Sequence, residues 1–499
     1  MNLATIVDPH PAESPALLTH ERVVTYGELR EMVAGARGGL ARAGVRPGDR
    51  VILALPNDWP FVVAYLAVLG AGAVAVPVDP TLPGPALADE MSVVGPSAAV
   101  VSTASAAALS ASGAAPGLVV VSGGASDAFP GAPVLEELMT GEGGPVVDRQ
   151  PGDLAVLVFT SGTAGPPKAA MLTHGSLLAN LQQVQQHPGR AVLRGDVAYG
   201  VLPFFHVFGI NVVLGLALLA GSSVLIVDRF DAAEALRDIP GRRVRLLAGA
   251  PPLFAALAAE PGATGDELRS VRLAISGAAP LPPEVDEAFT SRFGLPLWQG
   301  YGLTEASPVV TSSVVGGSPK PGSVGVAVPG LEVRLVDEAG DDALVGDPGE
   351  VWVRGPNVFA GYWGDEEATG EVLTPDGWLR TGDVGVVDDD GYLYLVDRAK
   401  DLIIVSGFNV YPAEVEDALL THPDVAEAAV VGVAAADTGE AVKAFVVARP
   451  GTRPTPDDLR AHVAGLLARY KCPRVVEVVD ALPRGIGGKV VRRSLEAHE

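Results

Sequence analysis

The chain has 499 residues, 48% of them apolar and 19% charged, with 35 basic against 59 acidic side chains and a formal net charge of −24. That length suits about three structural units with large buried cores, and the acidic excess argues against a nucleic-acid partner, because a phosphate backbone needs a concentrated basic surface. A single cysteine, Cys472, excludes an intrachain disulfide framework and a cysteine-rich metal site, and suits a reducing, cytoplasmic setting.

The opening MNLATIVDPHPAES has neither a basic n-region nor a long apolar core, so no secretory signal is expected. Residues 22–25 read as a short strand, with Thr25 as the cap of a helix from Tyr26 to about Ala43. A strand at 50–55, a helix at 59–69 and a strand at 73–78 follow. Helices alternating with short β-branched strands imply βα crossovers and a largely parallel sheet covered on both faces. Residues 59–78 and 208–227 imitate membrane spans, but Gly70 and Gly72 divide the first and Ala220-Gly221-Ser222-Ser223 the second. Each therefore reads as a buried helix feeding a buried strand, and no integral membrane segment is expected. The Ala/Ser/Gly-rich stretch 102–124 reads as a variable surface region around a strand at 118–122.

The next segment is dense in chemical signals. An apolar strand at 154–159 runs into Thr160, Ser161, Gly162, Thr163 and Gly165, then two prolines and Lys168. Hydroxyls, backbone N–H groups and a lysine suit a polyphosphate, although the same composition describes a plain surface turn. It is not the G-x-x-x-x-G-K-[ST] loop, since the lysine follows two prolines and no Ser or Thr comes after it.

A helix is predicted at 175–186. The segment 202–209 then sets His206 among aromatics at a strand end, where it either gates an apolar pocket or packs as an ordinary histidine. Strands at 224–227, 244–248 and 273–275 alternate with helices at 208–219, 232–237 and 252–259, and the last strand enters Ser276-Gly277-Ala278-Ala279-Pro280. In 299–305, Gly300 and Gly302 flank Tyr301, which admits close approach of a flat ligand with the ring on one face. Thr304 and Glu305 add a hydroxyl and a carboxylate, and a carboxylate meets phosphates only through a hard cation such as Mg2+. A glycine-bordered turn on a helix cap is the plainer alternative.

From Gly325 the texture changes to short alternating strands, LEVRLVD, GEVWVRG and DVGVVDDDGYLYLV, typical of antiparallel β-structure. Asp383 suits acceptance from two ribose hydroxyls. The charged link Asp397-Arg398-Ala399-Lys400-Asp401 is the candidate domain boundary and hinge. Beyond it, Ser406, Gly407 and Phe408 lead to a helix beginning near Pro412. Strands at 425–433, 442–448 and 473–479 and a helix at 457–468 complete a small α+β domain. Its glycine-rich tail carries Lys489 at a loop tip, a position that suits delivery to a ligand or simple solvation. The expected fold is α/β. A large domain, 1–397, holds stacked, largely parallel βα sheets and a barrel-like β-rich subdomain at about 321–397, and a small mobile domain, 398–499, follows.

Six separated motifs occur in order, at 158–168, 202–209, 299–305, 378–383, 397–412 and 483–489. Through them the chain resembles the adenylate-forming superfamily, which includes acyl-CoA synthetases, the adenylation domains of peptide synthetases and firefly luciferase, and the resemblance covers essentially the whole chain. It implies ATP-dependent activation of a carboxylic acid to acyl-AMP and pyrophosphate, then transfer to coenzyme A.

The resemblance also implies roles for particular residues. Thr160, Ser161, Gly162, Thr163, Gly165 and Lys168 would hold the β- and γ-phosphates. Gly277, Ala278, Ala279, Gly300 and Tyr301 would bracket the adenine, with Thr304 on the α-phosphate and Glu305 and Thr163 on Mg2+. Asp383 and Arg398 would hold the ribose, and His206 would stand beside the acyl pocket. Lys489 would meet the substrate carboxylate and the α-phosphate. Rotation about Lys400 would then withdraw Lys489 and present Ser406, Gly407 and Phe408 for thioester formation.

Two positions depart from the family pattern. Ala169 follows the loop lysine where glycine is usual, which suggests an altered approach of the loop, and Gly487 stands where threonine is common. SGFNVYP resembles bacterial long-chain fatty acyl-CoA ligases. The segment 246–254, LLAGAPPLF, has no base for a second carboxylate, and its small residues leave room for an apolar tail or a ring. A medium- or long-chain fatty acid is the first expectation. An aryl acid of the coumarate or benzoate type is the second, because 276–280 also resembles plant coumarate ligases. A carrier-protein thiol is the alternative acceptor. A homodimer and peripheral membrane contact for a lipid substrate are compatible with the sequence.

Overall fold

The computed structural model describes residues 1–160, 167–186, 192–337, 339–398, 403–405, 408–410, 412–435, 439–467, 471–484, 490 and 492–496. The chain packs as two compact units, Met1–Val333 with Val353–Leu379, and Arg334–Trp352 with Arg380–Glu499.

Two largely parallel sheets organise the first unit. One has six strands in the order Leu118–Ser122, Ala98–Ser102, Arg50–Ala54, Val74–Pro77, Leu154–Thr160 and Lys168–Thr173. The other has nine, and its centre runs Leu297–Gly302, Leu273–Ser276, Leu246–Gly249, Val197–Gly200, Ser223–Ile226, Pro15–Leu18. The two sheets share one connectivity. Arg50–Ala54 is followed by Val74–Pro77 on one side, and the chain then crosses to lay Ala98–Ser102 on the other side, with Leu118–Ser122 beyond it. In the same way Val197–Gly200 is followed by Ser223–Ile226, then by Leu246–Gly249 on the opposite side, with Leu273–Ser276 beyond. Each sheet thus has one place where strand order reverses. The crevice at the carboxyl ends of such strands is where open α/β sheets bind ligands.

The local sequence explains these elements. Val51, Ile52 and Leu53 are wholly buried, as a strand covered on both faces requires. Thr25 starts helix Tyr26–Ala43 with a capping box to Glu28, and Gly44 ends it in the left-handed region at φ 114°. The two membrane-like stretches resolve as expected: helix Trp59–Gly70 feeds strand Val74–Pro77, and Leu216–Ala220 stops at Gly221 before Ser223–Ile226. Among the described residues no helix is long and apolar enough to cross a membrane.

Three features differ from expectation. Residues 103–112 form a helix, not a variable surface stretch; Ser102 and Ser105 cap it reciprocally, and Ala106 and Leu109 are wholly buried. Its apolar face is mostly alanine and so weak in hydrophobicity, which hid the helical period. Lys168–Thr173 is a strand pairing antiparallel with Leu154–Thr160. The helix expected at 208–219 opens as a π-helix, Phe208–Gly215, a form frequent at functional sites.

In the second unit, Leu379–Val387 and Leu393–Arg398 pair antiparallel within a four-stranded sheet that also includes Glu332–Val336 and Gly349–Arg354. The chain passes between the units through these strands. A five-stranded sheet, Phe408–Val410, Ile403–Val405, Gly439–Ala448, Val425–Ala435 and Val475–Val479, carries helices Pro412–Leu420 and Pro456–Ala464. Val410, Val415, Leu419, Val430, Val442 and Leu459 form its core, giving the expected α+β arrangement.

Candidate active site

Thr160 stands opposite Lys168 where strands Leu154–Thr160 and Lys168–Thr173 pair antiparallel. Ser161, Gly162, Thr163 and Gly165, between them in sequence, lie outside the described residues. Side chains alternate along Lys168–Thr173. Ala169 therefore faces away from Lys168, and it is wholly buried among Ile52, Val76 and Leu157. Its methyl belongs to the core.

The outer edge of this strand is occupied by residues 360–363. Ala360 and Met171 exchange backbone bonds with Met171 and Gly361 carbonyls at 2.9 Å, and Trp363 N–H donates to the Ala169 carbonyl at 2.8 Å. This pairing sets the Tyr362 ring 5.4 Å from the Lys168 ammonium, within cation–π range. The Tyr362 hydroxyl donates to Glu305 Oε1 at 2.6 Å. Burial, and then the Glu305 charge, push the phenol well above its ordinary value, so it remains a donor.

Behind Glu305 the backbone turns sharply. Thr304–Ala306 is a single 3₁₀ turn, and Ser307 follows in the left-handed region at φ 66°. Such a turn leaves peptide groups without regular partners, and buried ones must find side chains. Three buried amides supply them, and a fourth, Gln183, braces one of the three. Asn180 clamps Val309 at both ends, accepting its N–H at 3.1 Å and donating to its carbonyl at 2.8 Å. Asn357 donates to the Ala306 carbonyl at 2.8 Å and accepts from Gln183 at 3.2 Å. Asn211 donates to the Ser307 carbonyl at 2.7 Å. Helix His174–Gln185, which follows the Lys168 strand, supplies Asn180 and Gln183, and the π-helix after His206 supplies Asn211. The sequence reasoning passed over these residues. Their one signal is polar amides inside otherwise apolar runs, LLANL, INVVL and NVFAG.

The reversal point of the nine-stranded sheet holds His206. Asn57, itself buried, fixes the preceding turn by donating to the Leu202 carbonyl and accepting from Phe204 N–H, both at 2.8 Å. Phe208 N–H donates to His206 Nδ1 at 3.2 Å, which assigns the neutral ring's proton to Nε2. The imidazole is exposed, so it is not a packed core histidine.

The Phe208 ring lies against Gly277, where an added Cβ would come within 3.1 Å of it. Gly277 N–H donates to the Gly249 carbonyl at 3.0 Å. Beside Gly249 the space is taken by Leu253, whose Cδ1 lies 3.0 Å from an added Cβ, and Ala248 is buried in its strand. At Gly249 itself, the position an added Cβ would take is thus occupied by Leu253. Ala278 adopts φ 68°, a left-handed conformation that costs an L-residue about 1–2 kcal/mol. Ala279 follows it, half-buried.

Gly300 and Tyr301 lie on strand Leu297–Gly302, opposite Ser312 and Thr311, not in a turn on a helix cap. Tyr301 is buried. Gly302 is required by its own chain, since an added Cβ would lie 2.2 Å from the Pro308 carbonyl oxygen. Asp383 and Arg398 belong to the second unit and face each other across Leu379–Val387 and Leu393–Arg398. Asp383 N–H donates to Thr381 Oγ1 at 3.1 Å, and Gly382 N–H to Glu350 at 3.2 Å. Lys400, Ser406, Gly407, Lys489 and the side chains of Arg398 and Phe408 lie outside the described residues.

These features, two reversal crevices with an ammonium and a carboxylate joined through one phenol, accord with comparison to known proteins. Residues 4–363 match the family model for AMP-binding enzyme, and residues 414–489 that for AMP-binding enzyme C-terminal domain. The chain belongs to the AMP-binding enzyme family and, within it, to the acid–CoA ligases. It is 39% identical to a feruloyl-CoA synthase of Amycolatopsis sp, covering 94% of this chain and 92% of that protein. It is 35% identical to a long-chain-fatty-acid–CoA ligase of Yersinia pestis, covering 98% and 92%. The crystal structure of ATP-bound MatB from Rhodopseudomonas palustris superposes with a TM-score of 0.90 at 32% identity, covering 99% of this chain and 98% of that one.

Proposed function

We propose that this chain uses ATP and Mg2+ to activate an apolar carboxylic acid as acyl-AMP and then transfers the acyl group to coenzyme A. The substrate carboxylate attacks the α-phosphorus and the bond to pyrophosphate breaks. The thiol then attacks the mixed-anhydride carbonyl and AMP leaves. No general base is needed in the first half, because a carboxylate is already ionised near neutral pH. The observation that carries this proposal is the Lys168–Tyr362–Glu305 arrangement, in which one phenol lies against an ammonium and donates to a carboxylate.

In this proposal Lys168 with Thr160, Ser161, Gly162, Thr163 and Gly165 would hold the β- and γ-phosphates, and Thr304 would meet the α-phosphate. Glu305 and Thr163 hold Mg2+, whose charge offsets that of the phosphates. Gly277, Ala278, Ala279, Gly300 and Tyr301 take the adenine, and Asp383 and Arg398 the ribose. Residues 1–397 act as the adenylation domain and 398–499 as a lid turning near Lys400. Lys489 serves adenylation, and Ser406, Gly407 and Phe408 serve thioester formation. Two chemistries in one cleft make such alternation useful. A cytoplasmic setting supplies both ATP and coenzyme A.

For the acid, an aryl carboxylate of the hydroxycinnamate or benzoate type is favoured. The flat Phe208 ring against Gly277 and the Leu253 cover of Gly249 suit a ring better than a long tail, and the likeness to a feruloyl-CoA synthase supports the choice. A medium- or long-chain fatty acid is the second reading, supported by SGFNVYP and the likeness to the Yersinia ligase. A panel of hydroxycinnamates, benzoates and C2 to C18 acids, with ATP and coenzyme A, tests this. The aryl reading predicts the highest kcat/KM on a hydroxycinnamate or benzoate, by ~10-fold or more over any straight-chain acid. A preference for C8 to C16 acids would reverse the order, and acyl-AMP without thioester would point to a carrier-protein acceptor.

A further inference from the structure

We propose that Asn57 is a positioning residue for the acyl side of the candidate site: reaching over from the six-stranded sheet, it sets where the nine-stranded sheet presents His206 and Phe208 to the acid. What the two rings face rests on the acid–CoA ligase proposal; how they are held is read from the hydrogen bonds around them. Residues 201–206 run on beyond strand Val197–Gly200 and belong to no helix or strand. Buried peptide groups in such a segment need partners from elsewhere. Asn57 lies between strand Arg50–Ala54 and helix Trp59–Gly70 and is 8% exposed. Its amide donates to the Leu202 carbonyl and accepts from Phe204 N–H, both at 2.8 Å.

There is little slack between that amide and the two rings. His206 N–H donates to the Pro203 carbonyl at 3.1 Å, and Ile210 N–H to the His206 carbonyl at 2.9 Å. A Cβ added at Gly209 would run into the Pro203 carbonyl, so the start of the π-helix lies directly on the turn. Phe208 N–H meets His206 Nδ1 at 3.2 Å, and the Phe208 ring lies against Gly277. A turn that shifts at Phe204 must therefore carry His206 and Phe208 with it. Only an amide supplies a donor and an acceptor side by side here. Alanine would leave both peptide groups unpaired, and aspartate would set a second acceptor against the Leu202 carbonyl.

The proposed phosphate side is braced separately. Tyr362 holds Glu305, and Asn180 and Asn357 hold residues 306–309. Asn211, further along the π-helix, is tied to the Leu177 carbonyl at 3.3 Å as well as to Ser307. Loss of Asn57 should therefore weaken use of the acid and spare that of ATP. Phe61 gives a control, because its ring packs on Phe204 with centroids 5.6 Å apart and touches the same turn without bonding to it.

The test compares Asn57→Ala, Asn57→Asp and Phe61→Leu in the full chain. With an acid that the wild type activates, the KM for the acid should rise ~10-fold or more in Asn57→Ala and ~3-fold or more in Asn57→Asp, while the KM for ATP stays within about twofold. Phe61→Leu should lower the Tm and leave both KM values within about twofold. An unchanged acid KM in Asn57→Asp, an equal rise for acid and ATP, or an equal rise in Phe61→Leu overturns the assignment; Asn57→Asp decides if Asn57→Ala does not fold. A para-fluorophenylalanine placed at position 208 reads the ring without turnover. Its fluorine resonance should move in Asn57→Asp and stay in place in Phe61→Leu, and an unmoved resonance in Asn57→Asp overturns the positioning. If the wild type activates no acid, the ligase proposal fails, and the resonance still decides on Asn57.

Discussion

The Tyr362 hydroxyl donates to Glu305 at 2.6 Å while its ring lies 5.4 Å from the Lys168 ammonium. One side chain thereby orients both charged groups of the proposed triphosphate site. Tyr362→Phe keeps the ring and removes the donor to a charged acceptor, worth about 1.5–3 kcal/mol. Pyrophosphate release should fall ~10–100-fold in kcat/KM and need more Mg2+, with a nearly unchanged Tm. A Mg2+ titration of both proteins measures this. Full activity in the variant would remove Tyr362 from the site.

Asn357→Ala should act differently. It deprives the Ala306 carbonyl of its donor and Gln183 of its acceptor, all in the interior. Stability should drop by about 2–4 kcal/mol, seen in urea unfolding. Asn180→Ala should cost a similar amount. The two share the Val309 carbonyl, so the double variant should depart from additivity by ~0.5 kcal/mol or more. Strict additivity would mean that the amides act independently.

Ala169→Gly removes a methyl from the core at a strand position. Lost burial and added backbone freedom should destabilise the protein by about 1–2 kcal/mol. The KM for ATP should stay within about twofold, since the methyl faces away from Lys168. A larger change in KM would return the position to the loop.

The pH profile of stability carries a fourth test. His174 begins the helix that holds Asn180 and is almost wholly buried, with Leu3 N–H donating to its Nδ1 at 3.1 Å. Burial, and then the Arg149 charge, lower its pKa from 6.5 to about 4. The unfolded chain therefore binds a proton that the folded one refuses between those values, and stability falls as pH drops through that window, by up to about 3 kcal/mol. Glu90 opposes this. Burial raises it from 4.5 to about 7, so its contribution is present at low pH and lost as pH rises. The difference between the wild type and His174→Gln isolates the first effect; a profile of unchanged slope between pH 4 and 6.5 would contradict it.

Much of the fold was legible in the sequence. Thr25 with Glu28, Gly44, Gly221 and the β-branched runs are local signals, and each marks a boundary found in the structure. What the sequence hid was set by distant contacts. Lys168–Thr173 is a strand because Leu154–Thr160 and residues 360–363 pair with its two edges. Gly302 looked like room for a ligand and is room for Pro308. Tyr362, Asn57 and the amides around Ala306–Val309 carry no motif of their own, since their partners lie far away along the chain.

The central claim is acid activation through an acyl-adenylate, and mass detection of both products in one reaction tests it most directly. With ATP, Mg2+ and a hydroxycinnamate or fatty acid, the purified chain should release pyrophosphate and accumulate acyl-AMP. Added coenzyme A should convert this to acyl-CoA and AMP. Lys489→Ala should lose the first step far more than thioester formation from supplied acyl-AMP. If no acid in the panel yields AMP or pyrophosphate, or if ADP appears in their place, the account is contradicted.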